Sequence, residues 1–72
     1  MTTELMIRYV ENRPFDPFEI ITVDGRKILV PHSDFATLET YGAAVTIFDE
    51  SGRVESFDTA LIVSLRTLHP LT

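Results

Sequence analysis

The spacing of apolar positions changes along this chain. Over Thr3 to Asn12, TELMIRYVEN, the apolar residues Leu5, Met6, Tyr9 and Val10 recur at i, i+1, i+4 and i+5, which predicts an amphipathic helix. Thr3 is the expected cap, and Glu4 suits the positive end of the helix dipole. Asn12 before Arg13-Pro14 ends the helix, because the residue preceding a proline is driven out of the α region. A helix of about three turns is marginal alone in water, so its stripe must lie on something apolar.

From Phe18 the period falls to two. Phe18 to Pro31, FEIITVDGRKILVP, is two apolar runs closed on Asp24-Gly25, which predicts a hairpin with strands over about 18–23 and 26–31. A two-residue turn at Asp24-Gly25 sets Val23 opposite Arg26, Ile21 opposite Ile28 and Glu19 opposite Val30 on one side. It sets Phe18 with Pro31, Ile20 with Leu29 and Thr22 with Lys27 on the other. Three further strands are expected over about 43–48, 53–57 and 61–67. Gly52 suits the left-handed position of a bulged loop between the first two of these. Asp58-Thr59-Ala60 reads as a brief 3₁₀ turn before the last strand. His32 to Tyr41 fits either one helical turn capped by Ser33 or a short strand. Arg13 to Phe18 is an extended connector anchored by Phe15 and Phe18, and the tail His69 to Thr72 is expected to fray.

With that register both sides of the first hairpin carry large apolar groups, which a sheet with one wet face would not show. In the second hairpin Val45, Ile47 and Phe57 share one side, and Phe48 and Val54 the other. In the last strand Leu61, Val63 and Leu65 oppose Ile62 and Arg66. The expected architecture is one domain, mainly β with one N-terminal helix over about 3–12 and a five-stranded barrel of the SH3-like or Sm-like kind over about 15–68. The alternative is an α+β arrangement with the helix packed on a bent antiparallel meander. The helix stripe covers only part of the second apolar side, so the remainder is expected to be a contact surface. Its candidate residues are Phe15, Phe18, Ile20, Leu29 and Pro31, with Ile21, Val23, Ile28 and Val30 as the opposite choice.

Composition sharpens this picture. At 72 residues, burial and conformational entropy nearly cancel, and small domains are commonly stapled. There is no cysteine, which excludes a disulfide, a thiolate metal site and thiol catalysis, and leaves association with a partner or with itself. The acidic residues outnumber the basic by 11 to 6, for a net charge of −5, which argues against a long nucleic-acid track. Arg13, Arg26 and Lys27 are the candidates for a small anion contact. No apolar run reaches membrane-spanning length, and a cytoplasmic location is expected.

The order helix, Asp-Gly hairpin, middle segment, second hairpin, turn and last strand resembles the Sm-like small barrels, most of all over SFDTALIVSL. That resemblance implies nucleic-acid binding, but the residues that perform it do not carry over. The middle segment has no Asp-x-x-x-Asn, and the last turn has no basic Arg-Gly loop. The run Arg13-Pro14-Phe15-Asp16-Pro17-Phe18, then Asp24-Gly25-Arg26, Val30, His32 and Phe35, resembles a group of short uncharacterised bacterial proteins with the pattern RPFxPFxI, DGR and VxH. It departs from that pattern in having His32-Ser33 in place of His-Pro. The group carries no activity to transfer.

His32, Ser33 and Asp34 are the residue types of a hydrolytic triad, but three consecutive residues do not converge as a triad must. His32 with Asp34, Asp16 or His69 has the donor types of a divalent-metal site without a recognisable ligand spacing. Asp49 and Glu50 make an acidic tip, with Asp58 as a further member and Arg53 as an ion-pair partner. The leading expectation is therefore a non-enzymatic protein-interaction module, an accessory subunit or a self-associating barrel, with no cofactor. An Sm-like nucleic-acid binder comes second and a small metal-dependent enzyme third.

Overall fold

The computed structural model describes residues 1–68, so the expectations placed on His69 and the tail lie outside the described residues. Helix α1 spans Thr3–Glu11. The strands are β1 (Phe18–Thr22), β2 (Lys27–Val30), β3 (Ala36–Glu39), β4 (Ala44–Phe48), β5 (Val54–Asp58) and β6 (Ile62–Thr67). They form two three-stranded antiparallel sheets, in the orders β2-β1-β6 and β3-β4-β5. This corrects the expected five-stranded barrel: among the described residues there are six strands, and the ladder does not close. The middle segment, for which a helical turn capped by Ser33 and a short strand are the alternatives by sequence, contains a 3₁₀ turn at Ser33–Phe35 capped by His32 and then the short strand β3. These turn and strand residues carry the chain out of the first sheet, and a further 3₁₀ turn at Thr59–Leu61 carries it back.

The core lies between the inner faces of the sheets and is sealed by α1. Met6 and Val10 enter it beside Phe18, Ile20, Val30, Ala36, Val45, Ile47 and Ile62. Tyr9 meets Phe18 edge-on, with ring centroids 5.2 Å apart. The helix begins one residue earlier than its expected cap, because the Thr2 side chain accepts the Leu5 amide at 3.3 Å. Arg13 donates to the Val10 carbonyl at 3.2 Å and closes the other end.

The first hairpin corrects the expected register by one residue. Phe18 stands opposite Val30, Ile20 opposite Ile28, and Ile21 opposite Lys27. The loop has three residues, not two. Thr22 and Arg26 close it, with the Thr22 amide on the Arg26 carbonyl at 3.0 Å and the Arg26 amide on Thr22 Oγ1 at 3.1 Å. Gly25 then takes the left-handed position, at φ 87°. The threonine hydroxyl captures an amide that a shorter turn would leave to the backbone. A slip of one residue turns every side chain of β2 over. Ile28 and Val30 therefore face the core with Phe18 and Ile20, while Leu29 and Lys27 face outward with Ile21 and Glu19.

Strand β6 departs from simple alternation as well. Its ladder to β1 slips between Ile21 and Thr22, so that Ser64 and then Ile62 are paired and Val63 is skipped. Ile62 and Leu65, expected on opposite sides, are both drawn to the core, and Val63 is left outside. The second hairpin has the expected register, with Val45 opposite Phe57 and Phe48 opposite Val54.

Candidate interaction surfaces

The residues expected to form one contact surface are divided by the corrected register. Phe18 and Ile20 are fully buried, Phe15 and Pro31 are half-buried at the edge of the core, and Leu29 lies on the opposite face. Phe15 packs on the Phe18 ring at 5.9 Å and on the His32 ring at 6.5 Å. Phe18 and Ile20 hold the sheet on the core and are not available to a partner.

The two sheets present unlike outer faces. On β3-β4-β5 the outer face is polar at its centre, where Thr46 Oγ1 donates to Glu39 at 2.8 Å and shares a hydrogen bond with Ser56 Oγ at 2.8 Å, and apolar at one end, where Phe48 pairs with Val54. On β2-β1-β6 the outer face mixes exposed aliphatic side chains with the Glu19–Arg66 ion pair and Lys27. Ile21 stands opposite Lys27 and Ser64, with Leu29, 51% exposed, diagonal to it on β2 and the bulged Val63, 57% exposed, next to Ser64 on β6. Val23, 65% exposed, donates its amide to the Leu61 carbonyl at 2.7 Å, which sets exposed Leu61 beside it and lengthens the apolar strip. The charged residues of this face are Glu19, Lys27 and Arg66, with Glu19 and Arg66 ion-paired. The acidic excess of the chain therefore lies elsewhere and does not repel a partner from this face. Val63 and Leu61 were not among the expected contact residues, because nothing in the alternation of β6 signals its bulge.

The three cations named for an anion contact are not gathered. Arg13 caps α1, whereas Arg26 and Lys27 follow the turn at the far end of the hairpin. Arg26 is occupied by a two-pronged ion pair with Glu55, at 2.7 and 2.5 Å, that links the first hairpin to β5. His32 is likewise taken: its Nδ1 accepts the Asp34 amide at 3.3 Å and caps the 3₁₀ turn. Among the described residues no group of three or more histidine, aspartate or glutamate side chains could hold a metal ion. Asp49 does not pair with Arg53 through its side chain. It folds its own loop, accepting from the Ser51 amide at 2.9 Å, the Ser51 hydroxyl at 2.5 Å and the Arg53 amide at 3.0 Å. Asp58 caps the turn after β5, at the opposite end of that strand from Asp49 and Glu50.

A groove with about 740 Å³ of space runs between β2 and the β4–β5 hairpin, where the two sheets fail to meet. Its walls are largely apolar, and the Arg26–Glu55 ion pair is part of its lining. No helix among the described residues is long and apolar enough to cross a membrane. Comparison with protein-family models, with curated proteins and with solved structures finds no match.

The loop carboxylates give the fold an acid limit. The Thr22 hydroxyl and the backbone near Arg26 hold Asp24 below its ordinary 3.8. The Ser51 hydroxyl and the Arg53 amide do the same for Asp49, and the Arg26 guanidinium lowers Glu55 from 4.5. A carboxylate lowered on folding adds stability that is complete above its unfolded value and is lost as pH falls through its folded value. Urea midpoints are thus expected to be level above about pH 5 and to fall below it. Asp24→Asn with Asp49→Asn should flatten that acid limb, since asparagine keeps the acceptor oxygen but does not titrate there. An unchanged limb in the double variant would assign the acid loss to other groups.

Proposed function

We propose that this domain is a non-enzymatic protein-interaction module whose contact surface is the outer face of β2-β1-β6, centred on Ile21, Leu29 and Val63 with Val23 and Leu61 at one end. The observation that carries the reading is the contrast between the two outer faces. One is furnished at its centre with mutually hydrogen-bonded hydroxyl groups and exposes Val54 at its end, and the other exposes four large aliphatic side chains, Leu29, Val63, Val23 and Leu61. Contiguous exposed apolar surface on a small domain marks a contact site. Removing such surface from water also supplies the stabilisation that a short chain without disulfides lacks. The partner is a second copy of the chain or a larger protein that the domain serves as an accessory subunit.

Native mass spectrometry with sedimentation tests this. The wild-type chain is expected to form a defined homo-oligomer or a complex of fixed stoichiometry. Val63→Glu and Leu29→Glu should each weaken the assembly by about 1.5–3 kcal/mol, or roughly 10- to 100-fold, and leave the far-UV circular dichroism of the monomer unchanged. A wild-type chain that is monomeric and captures no partner, or an assembly indifferent to both changes, would overturn the reading.

A further inference from the structure

We propose that the groove between β2 and the β4–β5 hairpin receives an extended, basic peptide segment of a partner protein, which adds to the free edge of β2 as a further strand. Strand β2 ends its sheet, so one of its edges is unpaired. The Thr22 and Arg26 backbones bond to each other, and in an antiparallel pair such bonded positions alternate with unbonded ones. Ile28 and Val30 therefore bond inward to β1, while the amides and carbonyls of Lys27 and Leu29 point away from it. Among the described residues nothing pairs with those groups.

The groove lies along this edge and not on either face, because Ile28 and Leu29, whose side chains point oppositely, both line it. Phe35, Ile47, Phe48 and Val54 line the other side. An extended strand takes up about 4.8 Å by 10 Å in cross-section, so 740 Å³ holds about 15 Å of it, or four to five residues. The space thus has the size of a strand, with a row of unmet backbone donors and acceptors on one wall and apolar residues opposite. That combination is how an added strand is bound, with the backbone giving affinity and alternate side-chain pockets giving selectivity.

Charge selects the class of segment. The lining holds three carboxylates, Asp49, Glu50 and Glu55, against two guanidiniums, Arg26 and Arg53, on a chain of net charge −5. A segment alternating aliphatic and basic residues meets both the apolar wall and the acidic surroundings.

The probe is a capped, fluorescein-labelled heptapeptide of alternating lysine and valine. Anisotropy is expected to show saturable binding that weakens with added salt, and amide exchange should slow at Lys27 and Leu29. Methylating the peptide amides one at a time should cost about tenfold or more at alternate positions and little between them. Leu29→Pro removes an outward amide without breaking the ladder to β1, so it should abolish binding while the fold persists. No saturation below about 1 mM, methylation effects without alternation, or exchange protection elsewhere than β2 would each overturn the proposal. Val63→Glu, which tests the outer face, should leave peptide binding intact, so this proposal and the interaction-module reading fail separately.

Discussion

Phe18→Ala is expected to cost about 3–5 kcal/mol, the largest loss any single truncation would cause here. Phe18 is fully buried where the helix, the connector and the first sheet meet, touching the rings of Tyr9 at 5.2 Å and Phe15 at 5.9 Å. Its removal forfeits the transfer free energy of a large ring and two aromatic contacts, and leaves a cavity bounded by two strand ladders. A domain of 72 residues has only about 4–11 kcal/mol of stability in all. At a slope of about 1 kcal/mol/M in urea, the midpoint should fall by about 3–5 M, and the variant should be largely unfolded if the wild type lies at the low end. Phe15→Ala, at a half-buried position, should cost about 1–2 kcal/mol. Equal losses at the two positions would contradict the packing of α1 on β1.

Gly42→Ala should be the next most damaging change, well beyond what a single methyl group suggests. Thr40, Tyr41 and Gly42 are three successive residues at positive φ, 53°, 55° and 90°. This tight left-handed turn lies against α1 and leads from β3 into β4. A Cβ at Gly42 would lie 3.2 Å from Ile7 Cγ1 and 3.2 Å from the Thr3 carbonyl oxygen, so the start of the helix would have to move. The Gly42 carbonyl also accepts the buried Thr59 hydroxyl at 2.6 Å, which ties the same turn to the crossing between β5 and β6. The left-handed backbone alone costs a residue with a side chain about 1–2 kcal/mol, and displacing α1 adds to this. Denaturant melts should show a loss of at least about 2 kcal/mol. Tyr41→Gly in the same turn is the control: its side chain is 96% exposed, so glycine relieves backbone strain and forfeits almost no packing. If the Gly42 variant is as stable as the Tyr41 variant, the helix does not rest on this turn.

Both results depend on contacts between segments far apart in sequence, and they mark where reading the chain succeeds and where it stops. The five strands predicted by period, proline and glycine lie within a residue or two of their expected places, and so does the helix, whereas β3 falls in the segment for which helix and strand are both open by sequence. The second hairpin is legible even in register, because Gly52 and the Asp49 carboxylate define its loop locally. The first hairpin has an Asp-Gly pair that favours a two-residue turn by local propensity alone. Thr22 adds one residue to the loop because its hydroxyl outcompetes the backbone for the Arg26 amide.

That single residue determined the candidate surface. With β2 turned over, Ile28 and Val30 complete the core and Leu29 is released to the outer face. The outer strip is completed by Val63, and only pairing with β1 decides which residue of β6 bulges. Whether the strands close on themselves or stop as two sheets with four edges is likewise a matter of twist and of contacts between sheets.

By itself the sequence determined the helix, five of the six strands of the described residues, their order, the loop chemistry of the second hairpin and the absence of any thiol chemistry, because these follow from neighbours along the chain. The tertiary structure alone decided the register of β2, the bulge of β6, the opening between the sheets and hence the two surfaces proposed to bind. Each of these is settled by which distant strand offers a partner, and a shift of one residue between alternatives leaves the local pattern of the chain unchanged.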